Sequence, residues 1–173
     1  MSWVDQVKEA LPDYAKDTKL NLDAVIKRSS ISEDIANACA LSAAMATGNG
    51  KLVSFISSSF AEDQFVLRDA ALTASAIMAA NNVWYPYVEM ADDEQLKGLP
   101  AQLRMNAIAQ HGGTTKANFE AFSLAASIVG KCHFCVKAHY DTLKNEEGYT
   151  VENLRDIGRI ASVMNSVAKV LNA

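Results

Sequence analysis

The sequence predicts an all-α fold made of a single domain, residues 1–173. Almost every segment repeats apolar side chains at steps of three and four, and no stretch alternates apolar and polar residues as a half-buried strand does. Half of the residues are apolar and 21% are charged, which is normal for a soluble globular protein. A chain of this length buries a substantial core without disulfide cross-links.

The first half of the chain is predicted to form a series of helices separated by short polar breaks. Ser32 is the expected N-cap of the third helix, and Gly48 to Gly50 are expected to end it with a left-handed residue. Asn81, Asn82 and Pro86 are expected to break the fifth helix and leave an aromatic connector over residues 83–88. The predicted elements are a helix over 3–10, a helix opened by Pro12, helices over Asp34–Thr47 and Lys51–Phe60, and a long helix from after Asp63 through Ala80.

The second half is also predicted to form helices separated by short polar breaks, and Gly130 is expected to end the helix that runs to Val129. Residues 40–44 resemble residues 123–127, and a glycine follows each at a helix end, so the sequence is compatible with two similar helical halves. The predicted elements are a helix over Ala101–Ala109 started by Pro100, a helix capped by Thr114 or Thr115 and running to Val129, a helix from Cys132 to about Leu143, and a final helix capped by Thr150.

Charge and hydropathy exclude two classes of partner. The formal net charge is −4, and no Lys/Arg cluster interleaved with aromatic residues is present, so we expect no nucleic-acid partner. The N-terminus carries charges within its first turns and lacks the apolar run of a signal peptide. The longest weakly polar run, Ala70–Ala80, is far short of a membrane span. We therefore expect a cytoplasmic protein without a membrane partner.

The chemistry of the chain is concentrated in one stretch, Lys131–His139. If this segment is helical, Cys132, Cys135 and His139 project from one face, because residues three and four apart are neighbours on a helix. Thiols are kept reduced in the cytoplasm, so a close cysteine pair there is typical of a redox-active or metal-binding site. The third cysteine, Cys39, lies among small apolar residues and is expected to be a buried, inert thiol.

Helix position and a nearby base both favour reactivity of this pair. Cys132 lies at the first turn of its predicted helix beside Lys131, where unpaired N–H groups, the helix dipole and the lysine charge stabilise a thiolate. His139 lies one turn beyond Cys135 and is placed to act as its general base. A third group usually orients such a histidine, and Glu120 on the preceding helix is the candidate, with Asp141 as the alternative.

Two other interpretations of the cysteines remain open. Two helical cysteines at this spacing also occur as ordinary buried side chains. The set Cys132, Cys135 and His139 also supplies three acceptable zinc ligands, which would make the chain a zinc-stabilised interaction module. A structural zinc site usually needs a fourth ligand from a second close pair, and the chain has no second cysteine pair, so we predict no metal site. His133, between the cysteines, is expected to face solvent.

Several segments together resemble alkyl hydroperoxide reductase D proteins (AhpD), which belong to the carboxymuconolactone decarboxylase-like superfamily. They are Gly98–Ile108, Met78–Tyr85, Lys116–Glu120 and the pattern that joins Glu120, Cys132, Cys135 and His139. The resemblance covers essentially the whole chain. It implies a compact AhpD-like helical fold, commonly a homotrimer, and a lipoyl-dependent peroxidase that works in antioxidant defence.

The resemblance also implies partners and residue roles. Dihydrolipoamide linked to an acyltransferase subunit would reduce the Cys132–Cys135 disulfide, and the dithiol would re-reduce an AhpC-type peroxiredoxin, with no tightly bound cofactor. Cys135 would be the peroxide-reactive sulfur, Cys132 the resolving thiol and proton donor, and Glu120 with His139 the relay that activates Cys135. This assignment opposes the helix-dipole argument, which favours Cys132 as the stronger thiolate.

The chain departs from the family pattern at one position, and the superfamily offers another activity. Relatives carry a histidine immediately before the second cysteine, where this chain has Phe134 and places its histidine one residue earlier, at His133. A relay step through that position is therefore not expected here. A decarboxylase acting on a lactone is the alternative enzyme, and it would not need both cysteines.

Overall fold

The computed structural model describes residues 1–173 and contains ten α-helices and no β-strand, so the predicted all-α class is confirmed. Short 3-10 turns lie at Asp13–Ala15, Glu62–Gln64 and His111–Gly113. The helices are α1 Trp3–Ala10, α2 Lys16–Lys27, α3 Glu33–Ala46, α4 Gly50–Ser57, α5 Phe65–Ala91, α6 Glu94–Lys97, α7 Asn106–Ala109, α8 Lys116–Gly130, α9 His133–Asn145 and α10 Val151–Leu171.

Helices α3 and α8 form the centre of the molecule, and α5 and α10 pack against both of them. Most of the buried positions on α3 and α8 are small residues, mainly alanine and serine, which let the helix backbones approach closely. The Ser42 hydroxyl of α3 donates a buried hydrogen bond of 2.8 Å to the carbonyl oxygen of Phe122 in α8. The buried apolar side chains form one cluster that extends along the chain from Trp3 to Ala168. Sequestering this apolar surface from water is the main force that holds the helices together.

Most predicted helix boundaries lie within a few residues of the observed ones, and the capping chemistry explains them. Thr115 and Thr150 accept hydrogen bonds at the N-termini of α8 and α10, as expected of N-cap residues. Ser32 precedes α3, although its side chain makes no capping hydrogen bond. Gly48 follows α3 with a φ of 76°, which confirms the predicted left-handed end of that helix.

The predicted break between residues 81 and 88 is wrong, because α5 runs without interruption from Phe65 to Ala91. Asparagine disfavours helices when its side chain competes for the backbone. Here tertiary partners occupy those side chains: Asn81 donates to the sulfur of Met105 at 3.3 Å, and Asn82 donates to the Ala126 carbonyl at 3.2 Å. Pro86 removes one helical hydrogen bond inside α5, and the packing of the long helix outweighs that loss.

Two further boundary predictions need correction. Helix α7 covers only Asn106–Ala109, since Gln102 has a φ of 52°, and a left-handed residue cannot continue a right-handed helix. Pro12 precedes a 3-10 turn instead of opening α2, which begins at Lys16.

The junction between α8 and α9 depends on a close approach at Gly130. A Cβ atom at this position would lie 2.1 Å from Nδ2 of Asn82, so only glycine allows α5 to pack against the end of α8. Helix α8 ends at Gly130, as predicted, and the left-handed residue that follows it is Lys131, with a φ of 57°. The chain then turns directly into α9.

The two segments that resemble each other in sequence lie on the two central helices. Residues 40–44 belong to α3 and residues 123–127 to α8. Each of these helices is followed by a left-handed residue and a shorter helix, Gly48 before α4 and Lys131 before α9. The predicted similarity of the two halves therefore has a local counterpart in the backbone. No helix combines the length and hydropathy that crossing a membrane requires.

Candidate active site

The two cysteines lie at the N-terminus of α9 and form a disulfide. Cys132 is the N-cap residue, one position before the first helical residue, and its Cα lies 5.3 Å from that of Cys135. The Sγ atom of Cys132 accepts a hydrogen bond of 3.2 Å from the backbone N–H of Cys135. N–H groups in the first turn of a helix have no backbone acceptor, and they favour a nearby negative charge. After reduction of the disulfide, the N–H of Cys135 therefore stabilises a thiolate on Cys132.

Both sulfur-bearing residues are covered by the protein, but not equally. Cys132 is 0% exposed and Cys135 is 3% exposed. Helices α5 and α8 enclose Cys132: its Sγ lies 4.0 Å from the Asn81 carbonyl oxygen, and its N–H donates to the Ser127 carbonyl at 3.3 Å. Cys135 is therefore the less enclosed of the two cysteines. The helix N-terminus favours a thiolate on Cys132, whereas the smaller degree of burial favours reaction at Cys135.

Glu120 lies beside His139, across the junction of α8 and α9. Its Oε2 atom is 2.7 Å from Nδ1 of His139. The alternative carboxylate, Asp141, pairs with Lys137 on the outside of α9. The proximity of α8 and α9 places the histidine and Glu120 together, although the two residues are 19 positions apart in the chain.

A residue that the sequence analysis did not assign completes the surroundings of His139. The sulfur of Met78, on α5, lies 3.2 Å from Nε2 of His139. Met78 is 1% exposed, whereas the side chains of His139 and Glu120 are 15% and 14% exposed. Both ring nitrogens are thus occupied, and neither is hydrogen bonded to a cysteine sulfur. Met78 is 61 residues from His139, so no local spacing could have indicated this contact.

The residues between the cysteines face away from this cluster. The His133 side chain is 83% exposed and lies 3.4 Å from a carboxylate oxygen of Glu89, which confirms the expectation that it faces solvent. Phe134 is 57% exposed and stacks on Tyr85, with ring centroids 4.3 Å apart. Position 134 is therefore used for an aromatic contact with α5.

A groove lies on the other side of α9. It has a volume of about 830 Å³ and is bounded by the C-terminal half of α5, the segment after it and the outer face of α9. At about 100° per residue, its lining residues His133, Phe134 and Lys137 lie roughly 100–160° around α9 from Cys135. The sulfurs do not line it, so this groove is separate from the disulfide.

The side chains around the cysteine pair form no metal site, and the third cysteine, Cys39, is not in a reactive environment. No group of three or more His, Cys, Asp or Glu side chains is placed to hold a metal ion. Cys39 is fully enclosed in the core, and burial raises the pKa of its thiol. The structure therefore places Cys39 in the environment expected of an inert thiol.

The fold and the cysteine-bearing helix define the class of protein. Residues 94–173, which include α8, α9 and α10, match the model of the carboxymuconolactone decarboxylase family.

Similarity to whole proteins narrows this class. Proteins called alkyl hydroperoxide reductase AhpD are 37% identical in Bradyrhizobium sp. strain BTAi1, 40% in Rhodospirillum centenum and 40% in Coxiella burnetii. The matches cover 98%, 98% and 94% of this chain, and 93%, 91% and 93% of those relatives. The chain belongs to the alkyl hydroperoxide reductase AhpD family.

Proposed function

We propose that this protein is a lipoyl-dependent thiol–disulfide oxidoreductase with alkyl hydroperoxidase activity, and that Cys132 and Cys135 are its redox centre. The observation that carries the proposal is the disulfide at the start of α9, one turn from a histidine held by Glu120. The names of the relatives add the substrate class, an alkyl hydroperoxide.

In the reductive half-reaction, the electrons come from a dithiol, the dihydrolipoamide arm of an acyltransferase subunit. One reductant thiolate attacks a sulfur of the Cys132–Cys135 bond, which breaks and leaves a mixed disulfide and one cysteine thiolate. The second sulfur of the reductant then attacks its first sulfur. This breaks the mixed disulfide, frees the protein cysteine and releases the reductant as a cyclic disulfide. The protein gains two electrons and two protons as its dithiol, without a tightly bound cofactor.

In the oxidative half-reaction, Cys135 reacts first because it is the less enclosed of the two cysteines. Its thiolate attacks an oxygen of the peroxide, the O–O bond breaks, and an alcohol and a Cys135 sulfenic acid form. Cys132 then attacks the sulfenic sulfur, water leaves, and the disulfide is restored. The same dithiol also reduces the disulfide of an AhpC-type peroxiredoxin by thiol–disulfide exchange, which leaves Cys132 and Cys135 oxidised.

Glu120 and His139 carry the protons that these steps require. Both side chains retain some contact with solvent, whereas the sulfurs are almost fully covered. A proton that enters at Glu120 passes to the imidazole ring, and the ring exchanges it with Cys135, the cysteine one turn earlier on α9. The pair thus links bulk water to a site that water hardly reaches.

We also propose that the protein is a cytoplasmic homotrimer. Large apolar side chains lie exposed along the second half of α5 and the segment after it: Val83 is 70%, Met90 79% and Leu99 62% exposed. Exposed apolar side chains that lie near one another are typical of interfaces between subunits. Light scattering coupled to gel filtration measures the mass directly, and a monomer of 18.7 kDa would contradict the assembly.

A coupled assay tests the activity. Lipoamide, lipoamide dehydrogenase and NADH are combined with an alkyl hydroperoxide, with and without an AhpC-type peroxiredoxin, and NADH oxidation is followed. We expect turnover with the wild type, added turnover with the peroxiredoxin, and none with Cys132→Ser or Cys135→Ser. Cys39→Ser, which alters a buried thiol far from the exchange chemistry, is the matched control. Lactone decarboxylation that survives in both cysteine variants would instead support a decarboxylase.

A further inference from the structure

The environment of His139 contains two acceptors and no donor. Nδ1 faces the Glu120 carboxyl at 2.7 Å, and Nε2 faces the sulfur of Met78 at 3.2 Å. A thioether sulfur has lone pairs but no hydrogen, so it can only accept a hydrogen bond. An N–H···S hydrogen bond to Met78 therefore requires a proton on Nε2, and the contact with Glu120 requires a proton between Nδ1 and the carboxyl. In that arrangement His139 presents no free lone pair to either cysteine.

We propose that Met78 is the positioning residue for His139, and that its sulfur accepts a hydrogen bond from Nε2 and keeps that proton on the ring until the disulfide is reduced. This inference rests on the proposed oxidoreductase function. When a reductant thiolate attacks and the S–S bond breaks, one cysteine leaves as a thiolate. His139 gives that thiolate its Nε2 proton and is left with a lone pair on Nε2. The second reductant thiol loses its proton as it attacks the mixed disulfide, and this proton returns to the ring.

The chemistry of a thioether suits this role. Sulfur is a weak acceptor, so the N–H···S contact orients the ring without holding the proton as strongly as a carboxylate would. A leucine of similar volume would fill the same space but offer no lone pair. The methionine is also kept away from solvent, since it is 1% exposed.

The packing of α5 fixes Met78 in place. Asn82, one turn further along α5, donates to the Ala126 carbonyl of α8, and Gly130 permits the close contact between these helices. Met78 itself is enclosed against α9, which also packs on α5. The methionine sulfur thus has a defined position relative to the ring, which is what a positioning residue requires.

The test compares Met78→Leu with Met164→Leu, a methionine that is 0% exposed in α10 and makes no hydrogen bond to His139. Nitrogen-15 NMR of the oxidised protein reports which ring nitrogens of His139 carry a proton. We expect a protonated Nε2 in the wild type and in Met164→Leu. In Met78→Leu we expect shifted Nε2 and Nδ1 resonances. In Met78→Gln, whose amide oxygen accepts a hydrogen bond, we expect the wild-type Nε2 signature to return.

The second readout is the rate at which dihydrolipoamide reduces the disulfide, measured as a pH profile. Loss of one weak hydrogen bond is expected to slow Met78→Leu by roughly five-fold near neutral pH and to alter the shape of its profile. Met164→Leu should match the wild type. Wild-type behaviour of Met78→Leu in both measurements overturns the proposal, as does an unprotonated Nε2 in the oxidised wild type. The NMR result does not require peroxide turnover, so failure of the proposed function alone would leave it standing.

Discussion

Nδ1 of His139 lies 2.7 Å from Oε2 of Glu120, and this contact joins the two helices on either side of the Gly130-Lys131 turn. It combines a group that can hold a proton at neutral pH with a carboxylate that orients it. The disulfide that these residues would serve lies one helical turn away and is nearly inaccessible to solvent. The arrangement separates proton supply from sulfur chemistry.

Replacing Glu120 by glutamine is expected to slow peroxide turnover by roughly ten-fold or more, because an amide cannot exchange a proton with His139. Alkylation of the reduced thiols should also move to higher pH. Iodoacetamide kinetics between pH 5 and pH 9 measure the second effect. Asp141→Asn is the matched control, since Asp141 lies on α9 but pairs with Lys137. Equal alkylation profiles for wild type and Glu120→Gln would argue against a proton relay.

The cysteines should differ sharply in reactivity after reduction. Cys39 is enclosed in the core and burial raises the pKa of its thiol, so it should remain unmodified in the folded protein. Cys135 should react first and Cys132 more slowly, according to their access. Mass spectrometry of peptides after brief treatment with iodoacetamide counts the modified sites. Early labelling of Cys39 would mean that the core opens on the time scale of the experiment.

Gly130→Ala should destabilise the fold, because its Cβ would lie 2.1 Å from the Asn82 side chain. Overpacking of this kind costs roughly 1–3 kcal/mol. Gly158→Ala is the opposite case: Gly158 lies inside α10, nothing lies within 4 Å of its added Cβ, and α-helices favour alanine. This control should be stabilised by roughly 0.5–1 kcal/mol. Urea unfolding of both variants measures the difference, and similar midpoints would contradict the close approach of α5 to α8.

The carboxyl group of Asp156 makes the free energy of unfolding depend on pH. Burial alone would raise the pKa of this carboxyl, but hydrogen bonds from Ser30 and from Arg159 and Arg155 outweigh burial and hold the pKa at about 2. A carboxyl group whose pKa is lowered in the folded protein stabilises the fold. This stabilisation is fully present above the pKa of the unfolded chain, near 4, and is lost as the pH falls toward 2. The contribution is on the order of 2 kcal/mol at neutral pH.

The corresponding experiment is unfolding of Asp156→Asn and wild type at pH 7, 4 and 2.5. The variant should be less stable at pH 7, and the gap should narrow as the pH falls through this range. Asp63→Asn, which changes an exposed carboxylate, controls for the general effect of lost charge. A gap that stays constant between pH 7 and pH 2.5 would show that the ionised state of Asp156 does not stabilise the fold.

Residues close in the chain could be interpreted from the sequence because helix geometry dictates their relation. The steps of three and four between Cys132, Cys135 and His139 place them on one side of α9 whatever the rest of the molecule does. Helix ends at Gly48, Thr115 and Thr150 follow in the same way from local capping chemistry. The all-α class follows from apolar periodicity along the whole chain.

Contacts between distant segments were decided by tertiary structure. Local propensity predicted a break at Asn81, Asn82 and Pro86, but partners on other segments bind both asparagines and α5 continues through the proline. The sequence named Glu120 as the partner of His139 and Asp141 as the alternative, and the packing of α8 against α9 brings Glu120 to the ring while Asp141 pairs with Lys137.

The sequence by itself therefore determined the helical class, the redox-capable cysteine pair and its neighbouring histidine, since each depends on spacings within one or two helical turns. Only the tertiary structure decided that Cys132 is the more enclosed sulfur and that Met78 faces Nε2 of His139. Those features depend on how α5 packs against α8 and α9. That packing arises from shape and burial summed over the whole core, which no local spacing encodes.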